Sequence, residues 1–208
     1  MLYNPILLAL ALAACVQLGS SSSVAKPRSA AIERRHEKLP GRGPLTTEVA
    51  TVIESWSIVE AAFATCASGI HAGVAVEVAI ASIRNLRHTT YEKCAGHSSC
   101  SSCSSLQPTD QAVIKFKAII VAIFTSWQTL LSAGQAAYPA VWKTACGAEL
   151  QQFDAFFTNV KTICQSFNLD LSVILSGIGL HLDLFLAIGI DLGSLLGINL
   201  GGIIGVHL

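Results

Sequence analysis

The last 32 residues of the chain, GIGLHLDLFLAIGIDLGSLLGINLGGIIGVHL (177–208), decide between an all-α and an α+β fold. Aligned by eights, they form four units: GIGLHLDL, FLAIGIDL, GSLLGINL and GGIIGVHL. Every even-numbered position from Ile178 to Leu208 is aliphatic, except Ser194 and Gly202. A strand puts alternate side chains on one face, whereas a helix scatters them around its axis. The alternation therefore predicts an extended tail.

The spacing of the units predicts how such strands would pair. Each unit contains a five-residue core of the form aliphatic-x-aliphatic-x-Leu, and three residues separate successive cores. A three-residue hairpin loop keeps the aliphatic rows of neighbouring strands on one face. It sets Asp191 opposite Gly197, whereas parallel stacking in a solenoid sets Asp183 against Asp191, which is unfavourable. The sequence predicts a four-stranded antiparallel β-meander within residues 168–208, with a solenoid as the alternative.

The aliphatic residues of these cores would form one continuous face and are the predicted interaction surface. They are Leu180, Leu182, Leu184, Ile188, Ile190, Leu192, Leu196, Ile198, Leu200, Ile204, Val206 and Leu208. Burying an aliphatic side chain is worth roughly 1.5–3 kcal/mol, so we expect this face to be buried against another surface. It packs on the rest of the chain, or it faces outward and mediates self-association or adsorption to a hydrophobic, cell-wall or lipid surface. Insertion into a bilayer is a third interpretation, although spanning strands need about 9–11 residues.

The region upstream of the tail, residues 44–166, is predicted to be a four-helix bundle. Apolar residues recur there at spacings of three and four, which is typical of amphipathic helices. The predicted helices cover residues 46–68, 74–93, about 109–137 and 139–167. Short links join the first helix to the second and the third to the fourth, which favours an up-down-up-down topology. The predicted fold is thus mainly α, and α+β overall once the β-meander is included.

The N-terminal residues have the pattern of a targeting segment. Residues 1–25 are predicted to be a signal peptide, because Ile6 to Ala14 form an apolar run too short to span a bilayer. A lipoprotein cleavage box at LAAC (12–15) is the alternative. Residues 26–37 contain the dibasic pair Arg34-Arg35 and are predicted to be a propeptide or a disordered, charged linker. We therefore expect a secreted, extracellular protein, with association with a cell wall as a more specific location.

Six cysteines lie beyond the leader, and an even number in a secreted chain predicts disulfides. They are Cys66, Cys94, Cys100, Cys103, Cys146 and Cys164. Cys146 and Cys164 are 18 residues apart on one helix, so about 27 Å separates them and they cannot bond to each other. Cys66 shares a bundle end with Cys146, which predicts the bond Cys66–Cys146. Cys164 is predicted to pair with one of the three remaining cysteines, and the other two with each other.

Metal and catalytic sites are weaker interpretations of the polar residues. The segment CAGHSSCSSC (94–103) holds four potential zinc ligands, but export to an oxidising compartment favours disulfides. His88 and Glu92, four residues apart, are typical of a surface ion pair. The sequence contains no nucleophile elbow, phosphate loop or HExxH motif, and its 13 basic and 13 acidic residues form no basic stripe. We expect no enzyme activity, no cofactor, no metal and no nucleic-acid partner.

These observations together predict a secreted, non-enzymatic structural or surface-active protein. Its C-terminal apolar repeat would mediate self-association or adsorption to hydrophobic or cell-wall surfaces. One alternative is a secreted helical carrier of an apolar ligand or lipid, held between the helices. The other is a membrane-active protein that inserts β-hairpins. The general layout resembles that of secreted surface proteins of filamentous fungi, and no site is inferred from this resemblance.

Overall fold

The computed structural model of the chain describes residues 46–97 and 99–198, and within these ranges it contains helices and no β-strand. The predicted signal peptide (1–25) and propeptide (26–37) lie outside the described residues. The α-helices in the described part are α1 (Thr47–His71), α2 (Val76–Ala95), α3 (Gln111–Ala137), α4 (Gly147–Leu150), α5 (Asp154–Ser166), α6 (Leu171–Gly177), α7 (Leu182–Ala187) and α8 (Leu192–Leu196). Short 3-10 helices cover Ser102–Ser105 and Gln151–Phe153, and a π-helical turn covers Trp142–Cys146.

The longer helices form where the sequence has apolar residues at spacings of three and four. In α1 the side chains of Val52, Trp56, Val59 and Phe63 are fully buried. The hydroxyl of Thr46 accepts a hydrogen bond from the amide of Val49 at 3.4 Å, which satisfies one free donor of the first turn. Burial of one apolar stripe therefore stabilises α1, and the cap determines where the helix begins.

Contacts between the helices give the direction in which each one runs. Trp56 lies 5.7 Å from Phe116 and Phe63 lies 4.9 Å from Trp127, measured between ring centroids, so α1 and α3 are parallel. A four-residue link returns the chain from α1 into α2. The ion pair of Arg84 with Glu149 places α2 alongside α4. The chain thus runs up, down, up and down, and its last passage combines the π-helical turn, α4, a 3-10 turn and α5.

The predicted β-meander is wrong for the described part of the tail, because residues 171–196 form the helices α6, α7 and α8. Asp170 accepts hydrogen bonds from the first amides of α6, and Asp191 accepts one from the amide of Ser194 in α8. The residues after α7 and α8 include Gly189 (φ 83°) and Gly197 (φ 64°), which adopt the left-handed conformation that favours glycine. The acidic residues and glycines are therefore helix caps. The interpretation that β-hairpins insert into a bilayer loses its basis in these residues.

The predicted interaction surface is part of the core wherever the structure describes it. Leu180, Ile188, Ile190, Leu192 and Leu196 are at most 8% exposed. Leu182, Leu184 and Ile198 are half-buried and pack against the same core. Leu200, Ile204, Val206 and Leu208 lie outside the described residues. The tail contacts α3 through α6 and α7, and it contacts α5 through α8.

Aromatic side chains dominate the centre of this core. The ring of Trp127 lies 4.9 Å from Phe63, 5.0 Å from Phe153, 4.8 Å from Phe157 and 6.1 Å from Phe185. All of these side chains are at most 1% exposed. Because Phe185 belongs to α7, the tail contributes directly to the aromatic centre of the bundle. It is therefore an integral layer of the fold.

Candidate functional site

The cysteines occupy the two ends of the bundle. Cys100 and Cys103 form a disulfide, with their Cα atoms 5.3 Å apart, in the loop between α2 and α3. This bond is one of the pairings that the sequence left open. The other cysteines of the described part, Cys66, Cys94, Cys146 and Cys164, are buried thiols. Within residues 46–97 and 99–198, no group of three or more His, Cys, Asp or Glu side chains is arranged to hold a metal ion.

Glu48 joins the disulfide loop to the beginning of α1. Its carboxylate accepts hydrogen bonds from the amides of Ser101 and Ser102, at 2.9 and 3.0 Å, and from both serine hydroxyls. These donors, the Ser102 hydroxyl above all, lower the pKa of Glu48 to about 2. At the same end, the side-chain amide of Asn168 donates to the carbonyl of Ser104 at 3.0 Å. The sequence analysis missed this polar connection between α1, the loop and the end of α5.

A polar groove of about 280 Å³ lies between α2 and α5. Glu149 accepts from Arg84 at 2.7 Å and from Arg87 at 3.3 Å, and these neighbours lower the pKa of its carboxyl group. Nε2 of His88 lies 3.3 Å from a carboxylate oxygen of Glu92 on the same helix, and both side chains are exposed. Glu149 already engages both arginine side chains. This single carboxylate balances one of the two guanidinium charges, so the groove keeps a net positive charge at these residues.

The opposite end of the bundle is made of apolar residues. We call residues 72–76 and 136–141 the apolar end. The first segment runs from the end of α1 to Val76, the first residue of α2, and the second runs from the last two residues of α3 to the π-helical turn. It contains five alanines, three valines, a glycine, a proline and Tyr138, and no acidic or basic residue. Eight of these eleven residues are exposed, and Val78 beside them is 51% exposed. The ionisable groups His71, Glu77 and Lys143 surround it in the sequence.

Tyr138 brings the two segments of the apolar end together. Its hydroxyl donates a hydrogen bond to the carbonyl of Val74. Its ring stacks on Trp142, with the centroids 6.3 Å apart, and the indole of Trp142 packs directly against Gly134 of α3. Burial, and then the neighbouring Cys146, raise the pKa of the phenol, so it stays protonated and keeps donating. Tyr138 thus holds the two segments of the apolar end together as one surface.

The exposed side of α3 continues this apolar character. From Ala118 to Trp142 the chain has no ionisable side chain other than Tyr138. An open groove of about 490 Å³ on this side is lined by Ile114, Lys117, Ala118, Val121, Ala122, Thr125 and Ser126. By length and composition alone, α1 and α3 are apolar enough to cross a membrane. Both also supply the core of the bundle, which accounts for their apolar composition.

Sequence reasoning missed the apolar end because it searched for periodic apolar patterns. The segments AGVAV (72–76) and AAYPAV (136–141) lie where helices end and begin and are too short to show such a period. The available signal was compositional, since turns of soluble proteins are usually rich in Ser, Asn and Asp. Both segments lack these residues.

Comparison with known proteins gives no further guide to the site, because no family model, no curated protein and no solved structure matches the chain.

Proposed function

We propose that this protein is an exported, non-enzymatic structural protein that adsorbs to apolar surfaces through the apolar end. The observation that carries the proposal is the exposure of eight apolar residues from two segments that Tyr138 holds together. Exposed apolar residues gathered in one patch usually mark an interaction site. The signal peptide predicted for residues 1–25 supports export.

This proposal moves the contact surface from the tail to the two segments that join α1 to α2 and α3 to the π-helical turn. The described aliphatic residues of the tail are buried, so they are not free to meet a surface while the bundle is folded. The apolar end, in contrast, is accessible in the folded state. It also contains no charge that adsorption would have to desolvate, apart from the flanking side chains.

Two exposed valines give the order of magnitude of the free energy that adsorption would gain. Val78 is 51% and Val141 is 40% exposed. Full burial of such a side chain is worth roughly 1.5–3 kcal/mol. Burying the exposed half of each against a surface therefore adds on the order of 1 kcal/mol per valine. Because each 1.4 kcal/mol is about a factor of ten in affinity, the two valines together change adsorption by roughly tenfold to a hundredfold.

Ala75 provides a sharp test, because it is exposed, lies in the apolar end and occupies the N-cap position of α2 without a side-chain cap. Ala75→Asp adds a charge to the surface and also a capping carboxylate, so the bundle becomes more stable while adsorption weakens at least tenfold. Ala75→Ser adds a cap without a charge and should adsorb like the wild type. Ala50→Asp adds the same charge on α1 near the disulfide loop and should also leave adsorption unchanged.

Adsorption isotherms on octyl-coated silica, measured by depletion from solution, distinguish these variants. Thermal unfolding of each variant confirms that differences in adsorption do not come from loss of the fold. If Ala75→Asp adsorbs like the wild type, or if Ala50→Asp adsorbs as weakly as Ala75→Asp, the apolar end is not the contact surface. Sedimentation of the free proteins shows in addition whether Ala75→Asp has changed self-association.

A further inference from the structure

We infer that Cys66 and Cys146, which are separate buried thiols in the structure, form a disulfide in the oxidised protein and so tie the last turns of α1 to the π-helical turn beneath the apolar end. The inference concerns a covalent modification of the chain and does not depend on adsorption. It rests on the depth of the two residues in the bundle, on their burial and shared neighbours, and on the distance that separates them from the remaining cysteines.

The two cysteines lie at the same depth below the same end. Cys66 is five residues before His71, the last residue of α1. Cys146 is four residues after Trp142, where the final passage of the bundle begins. At about 1.5 Å per residue, each is about 6–8 Å from its end of the helical segment. The bond between Tyr138 and Val74 places those two ends side by side.

Cys66 and the π-helical turn that ends at Cys146 also contact a common neighbour, α2. Cys66 lines a groove with Ser82 and Leu86 of α2. The π-helical turn that ends at Cys146 contacts α2 as well. Cys66 is 6% and Cys146 is 0% exposed, so both point inward. Burial raises the pKa of the Cys66 thiol to about 12, and the second contribution comes from Cys146, so the two groups lie within electrostatic range.

The other cysteines are too far along the bundle to compete. Cys94 is 18 residues after Val76, the first residue of α2, and therefore about 27 Å from the apolar end. Cys164 is separated from Cys146 by the same number of residues along the last passage of the bundle. A disulfide needs Cα atoms within about 7 Å. Neither residue can replace Cys66 or Cys146 as the partner in the folded protein.

The oxidation is balanced by an external disulfide, such as oxidised glutathione or a disulfide-exchange enzyme of an exporting compartment. The thiolate of one cysteine attacks this disulfide and releases one external thiol. The thiolate of the other then displaces the second external thiol from the mixed disulfide, which forms the Cys66–Cys146 bond. Two protons leave the protein thiols, and two electrons reduce the external disulfide to two thiols.

Differential alkylation of the full chain tests the pairing. The protein is secreted from a eukaryotic host, denatured without reductant, alkylated, digested and mapped by mass spectrometry before and after reduction. We expect one linked peptide that contains Cys66 and Cys146 and disappears on reduction. Recovery of both residues in alkylated form, or linked to other cysteines, overturns the inference.

Single substitutions give an independent readout that does not depend on recovering the linked peptide. Cys66→Ser should free Cys146 for alkylation in the denatured, unreduced protein, and Cys146→Ser should free Cys66. Cys94→Ser is the matched control and should free neither. If Cys66→Ser leaves Cys146 unreactive, Cys146 has a different partner and the inference fails. If a variant folds too poorly to be secreted, the peptide mapping of the wild type still shows whether Cys66 and Cys146 are linked.

Discussion

Gly134 should be one of the least replaceable positions of the bundle, although it lies in the interior of a helix, where glycine is normally unfavourable. A methyl group at this position would overlap the indole ring of Trp142. Both residues are buried, and Trp142 is only 4% exposed. The substitution Gly134→Ala therefore forces either the indole or the backbone of α3 to move.

The expected change in the free energy of unfolding of Gly134→Ala is the sum of two opposing contributions. Replacing glycine by alanine inside a helix stabilises it by up to about 1 kcal/mol. Overpacking a well-filled core costs typically 1–3 kcal/mol, and the cost rises if the large side chain is expelled. Since the overlap is with a ring that Tyr138 holds by stacking, we expect a net loss of about 2 kcal/mol. For a domain of this size, this loss corresponds to a fall in Tm of roughly 4–8 °C.

The matched control is Gly69→Ala in α1, where a methyl group would meet no atom within 4 Å. The same chemical change should there be neutral or stabilising by up to about 1 kcal/mol. The assay is urea unfolding of the wild type and both variants, followed by circular dichroism. Trp142→Leu is then added to Gly134→Ala, and a coupling energy of at least about 1 kcal/mol is expected. A Gly134→Ala variant as stable as Gly69→Ala, or strictly additive substitutions, would refute this account.

Two further predictions test the disulfide end and the tail. The pKa of Glu48 is lowered to about 2 in the folded protein, so its contribution to stability is complete above the usual carboxyl pKa and is lost as the pH falls toward 2. In Glu48→Gln, Tm should therefore fall less between pH 5 and pH 2 than it does in the wild type. Glu54→Gln, on the exposed face of the same helix, is the control and should lose Tm as the wild type does. Equal dependence of Tm on pH in the two variants would contradict the contact between Glu48 and the two serines. In the tail, Ile188→Lys should destabilise the fold by about 3 kcal/mol or more because Ile188 is 1% exposed, whereas Leu186→Lys should cost less than about 0.5 kcal/mol because Leu186 is 57% exposed. Equal costs in urea unfolding would exclude the helical packing of this segment.

The helices of the bundle could be predicted because each buries one face along several turns. The spacing of Val52, Trp56 and Phe63 predicts which side of α1 is inside, and all three are fully buried. The last passage is different, because the sequence predicts one regular helix from 139 to 167 and the structure has successive π, α, 3-10 and α segments. The first of these changes begins at Trp142, whose indole packs back against Gly134 of α3 only eight residues earlier, and helical periodicity does not reveal this contact.

The tail could not be assigned from its alternation because a helix of five to seven residues makes at most two turns. Over such a length a period of 2 and a period of 3.6 cannot be told apart. Twice in the tail, an acidic residue in one octad precedes a glycine in the next octad by six positions: Asp183 and Gly189, then Asp191 and Gly197. Asp183 lies in the first turn of α7, Asp191 caps α8, and both glycines have positive φ. The hairpin register also pairs Asp191 with Gly197, so the capping bond and the positive φ values, and not the spacing, assign these residues to helix ends.

Phe185 shows why the error matters for function. A strand with its even-numbered residues facing inward would turn Phe185 outward and Leu186 inward, whereas Phe185 is fully buried against Trp127 and Leu186 is exposed. Helices this short are unstable in isolation, so α6, α7 and α8 persist because they dock on α3 and α5. Gln151 strengthens this docking by donating to the carbonyl of Ile188 at 2.6 Å. A tail held in this way completes the core, and the proposed contact with an external apolar surface therefore falls to the two segments that Tyr138 joins.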